Sequence, residues 1–245
     1  MGPLPFHTAL KLDKPADVQM LSAIVQEWEP HLELYRPPRG SFLYEPDGTL
    51  YGFALGKRMT FTTDRRSVTV SAGDLVVIPQ GRGVDAGVDV DLIALRHDGT
   101  PPDHFRERFI QVWGFEHLPI SSSLADNGER HEIVPPSEVR LRIPYAILNV
   151  NSVKANVGVG SDDLVILVAF TGELSVRVAP PENIRITALL AREAMAIEPG
   201  RSWNITGTGQ VGILTLRSEL AHEACRWESH PNAFSHEYPH NSGKS

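Results

Sequence analysis

The sequence predicts a mostly β protein made of two double-stranded β-helix (jelly-roll) barrels with a few peripheral helices. Three observations predict this class. From residue 40 to about residue 97, apolar and polar side chains alternate in short runs that Gly, Asp and Pro turns separate. Residues 157–217 repeat the same plan with drift, and a helical period of apolar residues is confined to three short stretches. Because internal repetition of strand and turn units is typical of paired barrels, we expect one barrel in each half.

The three helical stretches lie at the start, in the middle and near the end of the chain. Lys14–Trp28 has apolar residues at three- and four-residue steps, with Asp13 as a candidate N-cap and Pro15 in the first turn. Phe105–Trp113 is predicted to be a second helix that bridges the two barrels. Ser218–Arg226 is predicted to be a third helix, which precedes a polar tail.

The clearest strand prediction is a hairpin in the first half, where MTFTT and SVTVS flank the turn at Asp64–Arg66. The closing strand of that barrel is predicted at Asp91–Arg96. In the second half, the run Ala194–Pro199 and the strand Val211–Arg217 occupy equivalent places. The predicted division is a lead-in with a helix (1–39), the first barrel (40–100), a linker with the bridging helix (101–140), the second barrel (141–217), and a C-terminal helix with a polar, His-rich tail (218–245).

Composition excludes several classes of partner. The 245 residues include 23 basic and 30 acidic side chains, the net charge is −7, and no run of Lys and Arg is present. We therefore expect neither nucleic acid nor a membrane as a partner. Cys225 is the only cysteine, so no intrachain disulfide can form. The start of the chain lacks the pattern of a secretory signal, and we expect a cytoplasmic protein.

One segment of the first half, SAGDLVVIPQGRGVDAG, resembles the second motif of the cupin superfamily. That motif reads Gly, five residues, Pro, one residue, Gly, two residues, His, three residues, Asn. Gly73, Pro79 and Gly81 have the residue types and spacing of the family. Glycine permits a sharp turn at the barrel edge, and proline stiffens the strand exit. Val84 stands at the position of the family's metal-binding His, and Val88 stands at that of the Asn.

The first cupin motif is also without its metal ligands. When it is anchored on the segment YGFALGK, its two His positions fall on Phe42 and Tyr44 and its Glu position falls on Thr49. The shorter spacing known in the family uses Leu43 and Glu45 instead. The resemblance implies the cupin fold, but not the divalent metal that the family usually binds, since such a site needs about three or four imidazole and carboxylate ligands.

The second half resembles the family more weakly. Alignment on the segment AFTGELSV puts the ligand positions at Gly158, Gly160 and Val165, and alignment on EPGRSW puts the second His position at Trp203. None of these residues binds a metal ion through its side chain. We therefore expect no cofactor, with a divalent metal as the alternative.

An aromatic and apolar barrel with a few polar groups is typical of a cavity for a small organic ligand. Tyr44 could offer its hydroxyl to such a ligand, and Arg82 could pair with a carboxylate or phosphate. Trp203 and Arg201 could form a stacking floor and a cationic rim. Wall packing and rim charges explain the same residues without a ligand. The predicted ligand-binding residues are Phe42, Tyr44, Thr49, Arg82 and Val84 in the first barrel and Arg201 and Trp203 in the second.

Three functions stay open from the sequence. The preferred one is metal-independent binding of a small organic ligand that is anionic or sugar-like. The first alternative is a cupin-type isomerase or dioxygenase whose metal is held by His97, His104, His117 and His131, outside the motifs. The second alternative is a structural scaffold with two filled barrels. A homodimer is compatible with all three functions.

The C-terminal region offers a weaker metal hypothesis. His222 and Cys225 lie three residues apart on the predicted third helix and could bind zinc together with tail histidines. A solvated tail that happens to be rich in histidine explains the same pattern.

Overall fold

The architecture comprises 18 strands and one helix within the part of the chain that is described. The computed structural model describes residues 5–30, 32–40, 42–45, 48–56, 58–62, 67–78, 81–88, 90–98, 111–113, 120–125, 128–133, 145–151, 155–156, 163–179 and 184–216.

The first half contains the helix and nine strands. In chain order they are β1 (Leu10–Lys11), α1 (Pro15–Trp28), β2 (Leu32–Tyr35), β3 (Phe42–Glu45), β4 (Gly48–Ala54), β5 (Met59–Thr62), β6 (Ser67–Val70), β7 (Leu75–Ile78), β8 (Arg82–Ala86) and β9 (Leu92–Asp98).

The remaining strands begin at residue 111. They are β10 (Gln111–Trp113), β11 (Ile120–Ala125), β12 (Gly128–Ile133), β13 (Tyr145–Asn151), β14 (Ala155–Asn156), β15 (Leu164–Ala179), β16 (Arg185–Leu190), β17 (Glu193–Ile197) and β18 (Ser202–Leu216).

The strands form three antiparallel sheets. Sheet A has nine strands, in the order β1-β17-β15-β18-β13-β12-β11, with β14 paired to β18 and β16 paired to β15. Sheet B has the order β10-β7-β4-β9-β2, and sheet C has the order β3-β8-β5-β6. Sheets B and C are built almost entirely from the first half of the chain. Sheet A is built almost entirely from the second.

Apolar side chains fill three clusters. A first-half cluster lies between sheets B and C and includes Phe61 and Val84. A second-half cluster is formed within sheet A and includes Trp203. An interface cluster combines α1 with residues of sheets A and B, such as Phe53 and Ile166, so it packs the two halves against each other. Burial of these apolar surfaces is the main term that stabilises the fold.

The long strand β15 contributes residues to two of these clusters. Leu164, Ile166 and Val168 belong to the interface cluster, whereas the alternate residues Val165 and Leu167 belong to the second-half cluster. Because successive side chains of a strand point to opposite faces, this half of β15 is buried on both faces.

β15 and β18 pass each other at a corner made of glycines. The register of the two strands shifts after Ala169, and Gly172 then lies opposite Gly209. Gly172 has a φ of 80°, and a Cβ atom at this position would lie 1.9 Å from the carbonyl oxygen of Thr208. Gly207, nearby on β18, has a φ of 115°. The two backbones therefore approach more closely than any side chain would allow.

Most predicted elements that fall on described residues are confirmed. The first helix is α1, although its N-cap is Lys14 and not the predicted Asp13. The hairpin is confirmed as β5 and β6, which pair Met59 with Val70. The two predicted closing strands are confirmed as β9 and β18, and β18 begins at Ser202, nine residues before the predicted start.

The predicted bridging helix is wrong at its C-terminal end. Gln111–Trp113 is β10, which pairs with β7 through Val112 and Val76. Tertiary strand pairing therefore overrides the helical period of the apolar residues there. The rest of that prediction, residues 105–110, lies outside the described residues, as does the predicted third helix. α1 has 14 residues, and no helix in the described part of the chain is long and apolar enough to cross a membrane.

Candidate functional site

A cleft of about 630 Å³ lies between α1 and the segment that leads into and out of β2. Val18, Gln19 and Ser22 line its α1 side, and the opposite side consists of Glu33–Arg39. We call this feature the α1 cleft. Its volume lies within the range of about 300–1,000 Å³ that is usual for small-molecule sites.

Packing fixes both walls of the α1 cleft. Leu21 and Val25 of α1 are fully buried in the interface cluster, on the side of the helix away from the cleft. The Ser22 hydroxyl oxygen accepts a hydrogen bond of 3.1 Å from the backbone N–H of Leu34. The indole Nε1 of Trp28 donates a 2.8 Å bond to the carbonyl oxygen of Leu216. The helix is thereby tied to both β2 and the end of β18.

Arg36 and Arg39, at one end of the cleft lining, belong to a charged cluster centred on Asp91, whose side chain is only 6% exposed. Arg36 Nη2 lies 2.5 Å from Asp91 Oδ1, and Arg192 Nη2 lies 2.6 Å from Oδ2. Arg39 Nη2 lies 3.3 Å from Oδ2. We call these four residues the Asp91 cluster. It joins the two halves of the chain, because Asp91 precedes β9 and Arg192 lies between β16 and β17.

The backbone holds two of the arginines in place. Arg192 adopts a left-handed conformation with a φ of 70°, and its N–H donates to the carbonyl oxygen of Ala169 at 2.8 Å. Its own carbonyl oxygen accepts a 3.0 Å bond from the N–H of Leu12. Arg36 Nη1 donates to the Leu12 carbonyl oxygen at 2.7 Å. The Leu12 backbone thus aligns guanidinium groups from both halves.

Asp91 is ionised, and the cluster carries excess positive charge. Burial by itself would raise the pKa of the Asp91 carboxyl, but the hydrogen bonds and charges of Arg192 and Arg36 outweigh burial and lower the pKa below 3.8. Three guanidinium groups share one carboxylate, which leaves a net charge of three minus one, or +2. Arg39 is the most available of the three, because its side chain is 62% exposed.

A second ion pair lies farther along the same cleft wall. Glu33 Oε2 lies 3.5 Å from Arg96 Nη1, and the Arg96 guanidinium lies 4.9 Å from the centre of the Tyr35 ring. Both charged side chains are more than a third exposed, so this pair stabilises the fold only weakly.

Among the ligand-binding residues predicted in the first half, Val84 is the one whose side chain is described, and it lies in an apolar core. Val84 is fully buried in the first-half cluster and lies opposite Leu43 in the register of β3 and β8. Leu43 is therefore the residue of β3 in this cluster. Tyr44, the next residue of β3, lies opposite Gly83. The side chains of Phe42, Tyr44, Thr49 and Arg82 lie outside the described set, and their role in binding a ligand stays a prediction.

In the second half, the structure separates the two predicted ligand-binding residues. Trp203 is 7% exposed and packs in the second-half cluster with Val178 and Ile205. Arg201 is half-buried and forms an ion pair with Glu198, in which Nε lies 2.9 Å and Nη2 lies 2.8 Å from the same oxygen, Oε2. Its charge is thus already matched by a carboxylate.

The described residues at the motif positions do not fit a catalytic metal. Val84 and Trp203 have no side-chain atom that binds a metal ion, and both are buried in apolar clusters. Within the described residues, no group of three or more His, Cys, Asp and Glu side chains could hold a metal ion. Of the histidines in the alternative metal hypothesis, His131 lies in β12 opposite Ser122, and His97 lies in β9 opposite Leu32 and Thr49.

His104 and His117, and the C-terminal residues His222 and Cys225, lie outside the described residues. The metal hypotheses that rest on them stay predictions.

The Asp91 cluster was missed by sequence analysis. Arg36 and Arg39 flank two prolines in the stretch YRPPRG, between the first predicted helix and the first barrel, and no motif marks them. Asp91 was identified only as the start of a strand. The one available signal was the position of two arginines beside prolines, which restrict the backbone and reduce the entropy cost of holding both side chains in place.

Sheets that enclose apolar clusters in each half define a protein of the jelly-roll class. The sequence has no detectable similarity to a protein-family model or to a curated protein. Solved structures are similar in fold. Vicilin from hazelnut (Corylus avellana) is 14% identical over 77% of this chain and 75% of its own, with a TM-score of 0.54.

Two bacterial proteins are similar to the same degree. A putative glyoxylate-induced protein from Pseudomonas aeruginosa is 11% identical over 77% of this chain and 80% of its own, with a TM-score of 0.54. A Streptomyces albus protein solved with 2-hydroxyethylphosphonate and Fe(II) bound is 8% identical over 82% of this chain and 72% of its own, with a TM-score of 0.54. These are cupin-fold proteins, so the fold expected from Gly73, Pro79 and Gly81 is confirmed.

Proposed function

We propose that the chain is a cupin-fold binding protein for a small organic anion and that the anion binds in the α1 cleft. The observation that carries the proposal is the charge imbalance of the Asp91 cluster, in which three guanidinium groups share one carboxylate. Two of its arginines, Arg36 and Arg39, line a cleft of about 630 Å³. Arginine is the side chain best suited to bidentate binding of a carboxylate or phosphate.

The cleft has complementary groups for both ends of such a ligand. Arg39 contacts Asp91 at 3.3 Å and is 62% exposed, so it can turn toward an anion without breaking a strong bond. Val18, Leu34 and the two prolines between Arg36 and Arg39 offer apolar surface to the organic part. A carboxylate, phosphate or phosphonate on a short carbon skeleton fits this arrangement.

The apolar clusters favour the cleft over the barrel interior as the binding site for the anion. Val84 and Trp203, two described residues of the predicted barrel sites, are buried in apolar clusters. A charged ligand placed among them would lose its hydration without gaining a partner, which is costly.

Binding of an anion is tested by isothermal titration calorimetry. A panel of short carboxylates, phosphate esters, phosphonates and neutral sugars is first screened by thermal shift, and the compounds that stabilise the protein are titrated. We expect anions to stabilise the protein and neutral sugars to have no effect. If no anion in the panel raises the melting temperature, the proposal is wrong.

Arg39→Gln is expected to weaken binding of the best anion about tenfold or more, because a charge-assisted hydrogen bond contributes on the order of 1.5–3 kcal/mol. The melting temperature should change little, since a mostly exposed arginine contributes about 0–1 kcal/mol to stability. Arg185→Gln is the matched control, because Arg185 is exposed on β16 and does not line the cleft. Equal loss of affinity in both variants would place the anion outside the α1 cleft.

A further inference from the structure

Beyond the proposed anion site, we propose that two copies of the chain form a two-fold symmetric dimer through an apolar stripe on β16. The stripe consists of Ile184, Ile186, Ala188 and Leu190, and we call it the β16 stripe. Ile184 is 55% exposed, Ile186 is 68% exposed and Leu190 is 45% exposed.

Strand periodicity places these residues on one outer face. Leu189 is fully buried in the second-half cluster, so the alternate residues Ala188 and Leu190 point away from that cluster. Ala188 is exposed as well. The described residues contain five exposed large apolar side chains, and three of them belong to the β16 stripe. Such concentration on one strand is typical of an interaction surface.

The neighbouring strand adds opposite charges at the two ends of the stripe. In the register of β15 and β16, Glu173 lies opposite Leu190, and Arg177 lies opposite Ile186. Both charged residues are exposed, and neither has an ion-pair partner among the described residues. Ser175 lies between them and opposite Ala188, so the centre of the surface carries only small side chains.

This pattern is complementary to itself under a two-fold rotation. An axis through Ser175 and Ala188 brings Glu173 of one subunit to the partner's Arg177, and the reciprocal pair forms at the other end. The same rotation brings Ile186 onto the partner's Leu190. Small residues at the axis allow the two sheets to approach, and the apolar stripes exclude water between the flanking charges. A symmetric dimer requires a surface that is self-complementary in this sense.

The dimer is tested by sedimentation velocity on the full chain at concentrations from about 1 to about 100 µM, a range suited to an interface of modest area. We expect the wild-type chain to shift from monomer to dimer within this range. Ile186→Asp is expected to remain monomeric throughout, because it puts a carboxylate into the apolar stripe. Val88→Asp is the matched control, since Val88 is 75% exposed but lies outside the stripe, and we expect it to dimerise like the wild type.

Charge exchange tests the orientation independently of apolar contact. Glu173→Arg alone and Arg177→Glu alone are each expected to weaken the dimer at least severalfold, because like charges then face each other. The double variant Glu173→Arg with Arg177→Glu should recover the wild-type dissociation constant, since the pairs are restored with exchanged signs. A wild-type chain that stays monomeric, a dimer that persists in Ile186→Asp, or a double variant weaker than either single variant would each overturn the proposal.

Discussion

Gly172→Ala is expected to destabilise the protein by on the order of 4 kcal/mol, or to prevent folding. The residue has a φ of 80°, and its Cβ would lie 1.9 Å from the Thr208 carbonyl oxygen and 2.7 Å from the Gly209 Cα. Left-handed backbone strain costs about 1–2 kcal/mol for a residue with a side chain, and overpacking against a fixed neighbour costs about 1–3 kcal/mol more. The neighbour here is backbone, so rotation of a side chain cannot relieve the contact.

Urea denaturation gives the free energy of unfolding of this variant, and Gly200→Ala is its control. Gly200 has a nearly identical φ of 76°, but a Cβ there would meet no atom within 4 Å. Alanine at position 200 should therefore cost only the backbone term, about 1–2 kcal/mol. If the two variants lose equal stability, then β15 and β18 can separate at the corner, and the close approach of their backbones does not constrain the fold.

The same glycine shows how far the sequence predicts the fold. Alternation of apolar residues predicts the strands, and the spacing of Gly73, Pro79 and Gly81 predicts the jelly-roll class, because both are local properties. In the sequence, Gly172 is one residue of the segment AFTGELSV, which aligns with the first cupin motif. In the structure it lies inside the 16-residue β15. A glycine has the same local signal whether a strand ends there or bends past another backbone, and only the partner strand decides between the two.

Three residues of the Asp91 cluster illustrate why the site was harder to predict than the fold. Arg36, Asp91 and Arg192 are separated by 55 and 101 residues in sequence. No periodicity or motif links positions this far apart, and their meeting depends on how sheet B packs against sheet A. Arg192 follows the predicted strands of the second half with no motif that marks it as a functional residue. Its function as a partner of Asp91 follows from its left-handed conformation between β16 and β17.

Asp91→Asn is expected to destabilise the protein by on the order of 3 kcal/mol at neutral pH. The substitution preserves the size of the side chain but leaves three guanidinium groups without a counter-charge. Removing one partner of a buried ion pair costs about 3–5 kcal/mol, and the lower end applies because Arg39 and Arg192 remain partly in water. Glu33→Gln is the control, since the Glu33 and Arg96 pair is exposed and should contribute about 0–1 kcal/mol.

The effect of Asp91→Asn should also depend on pH in a defined direction. Hydrogen bonds from Arg192 and Arg36 outweigh the effect of burial and lower the pKa of Asp91 in the folded protein below its ordinary value of 3.8. The unfolded chain therefore takes up the proton first as the pH falls, and the stabilisation by ionised Asp91 is complete above about pH 4 to 5 and is lost at lower pH. Urea midpoints of the wild type and the variant, measured between pH 3 and pH 7, should differ most at neutral pH and converge in acid.

A double variant separates the loss of charge balance from the loss of packing. Arg192→Gln removes one of the unbalanced charges, so Asp91→Asn should destabilise an Arg192→Gln chain less than it destabilises the wild type. The losses in free energy of unfolding of the two substitutions would instead be additive if Asp91 stabilised the chain only by filling space between the halves. A stability difference between wild type and Asp91→Asn that stays constant down to pH 3 would also mean that Asp91 acts only by packing, because packing does not titrate. Coupling together with acid convergence would identify Asp91 as the carboxylate that holds the arginines of both halves at the end of the α1 cleft.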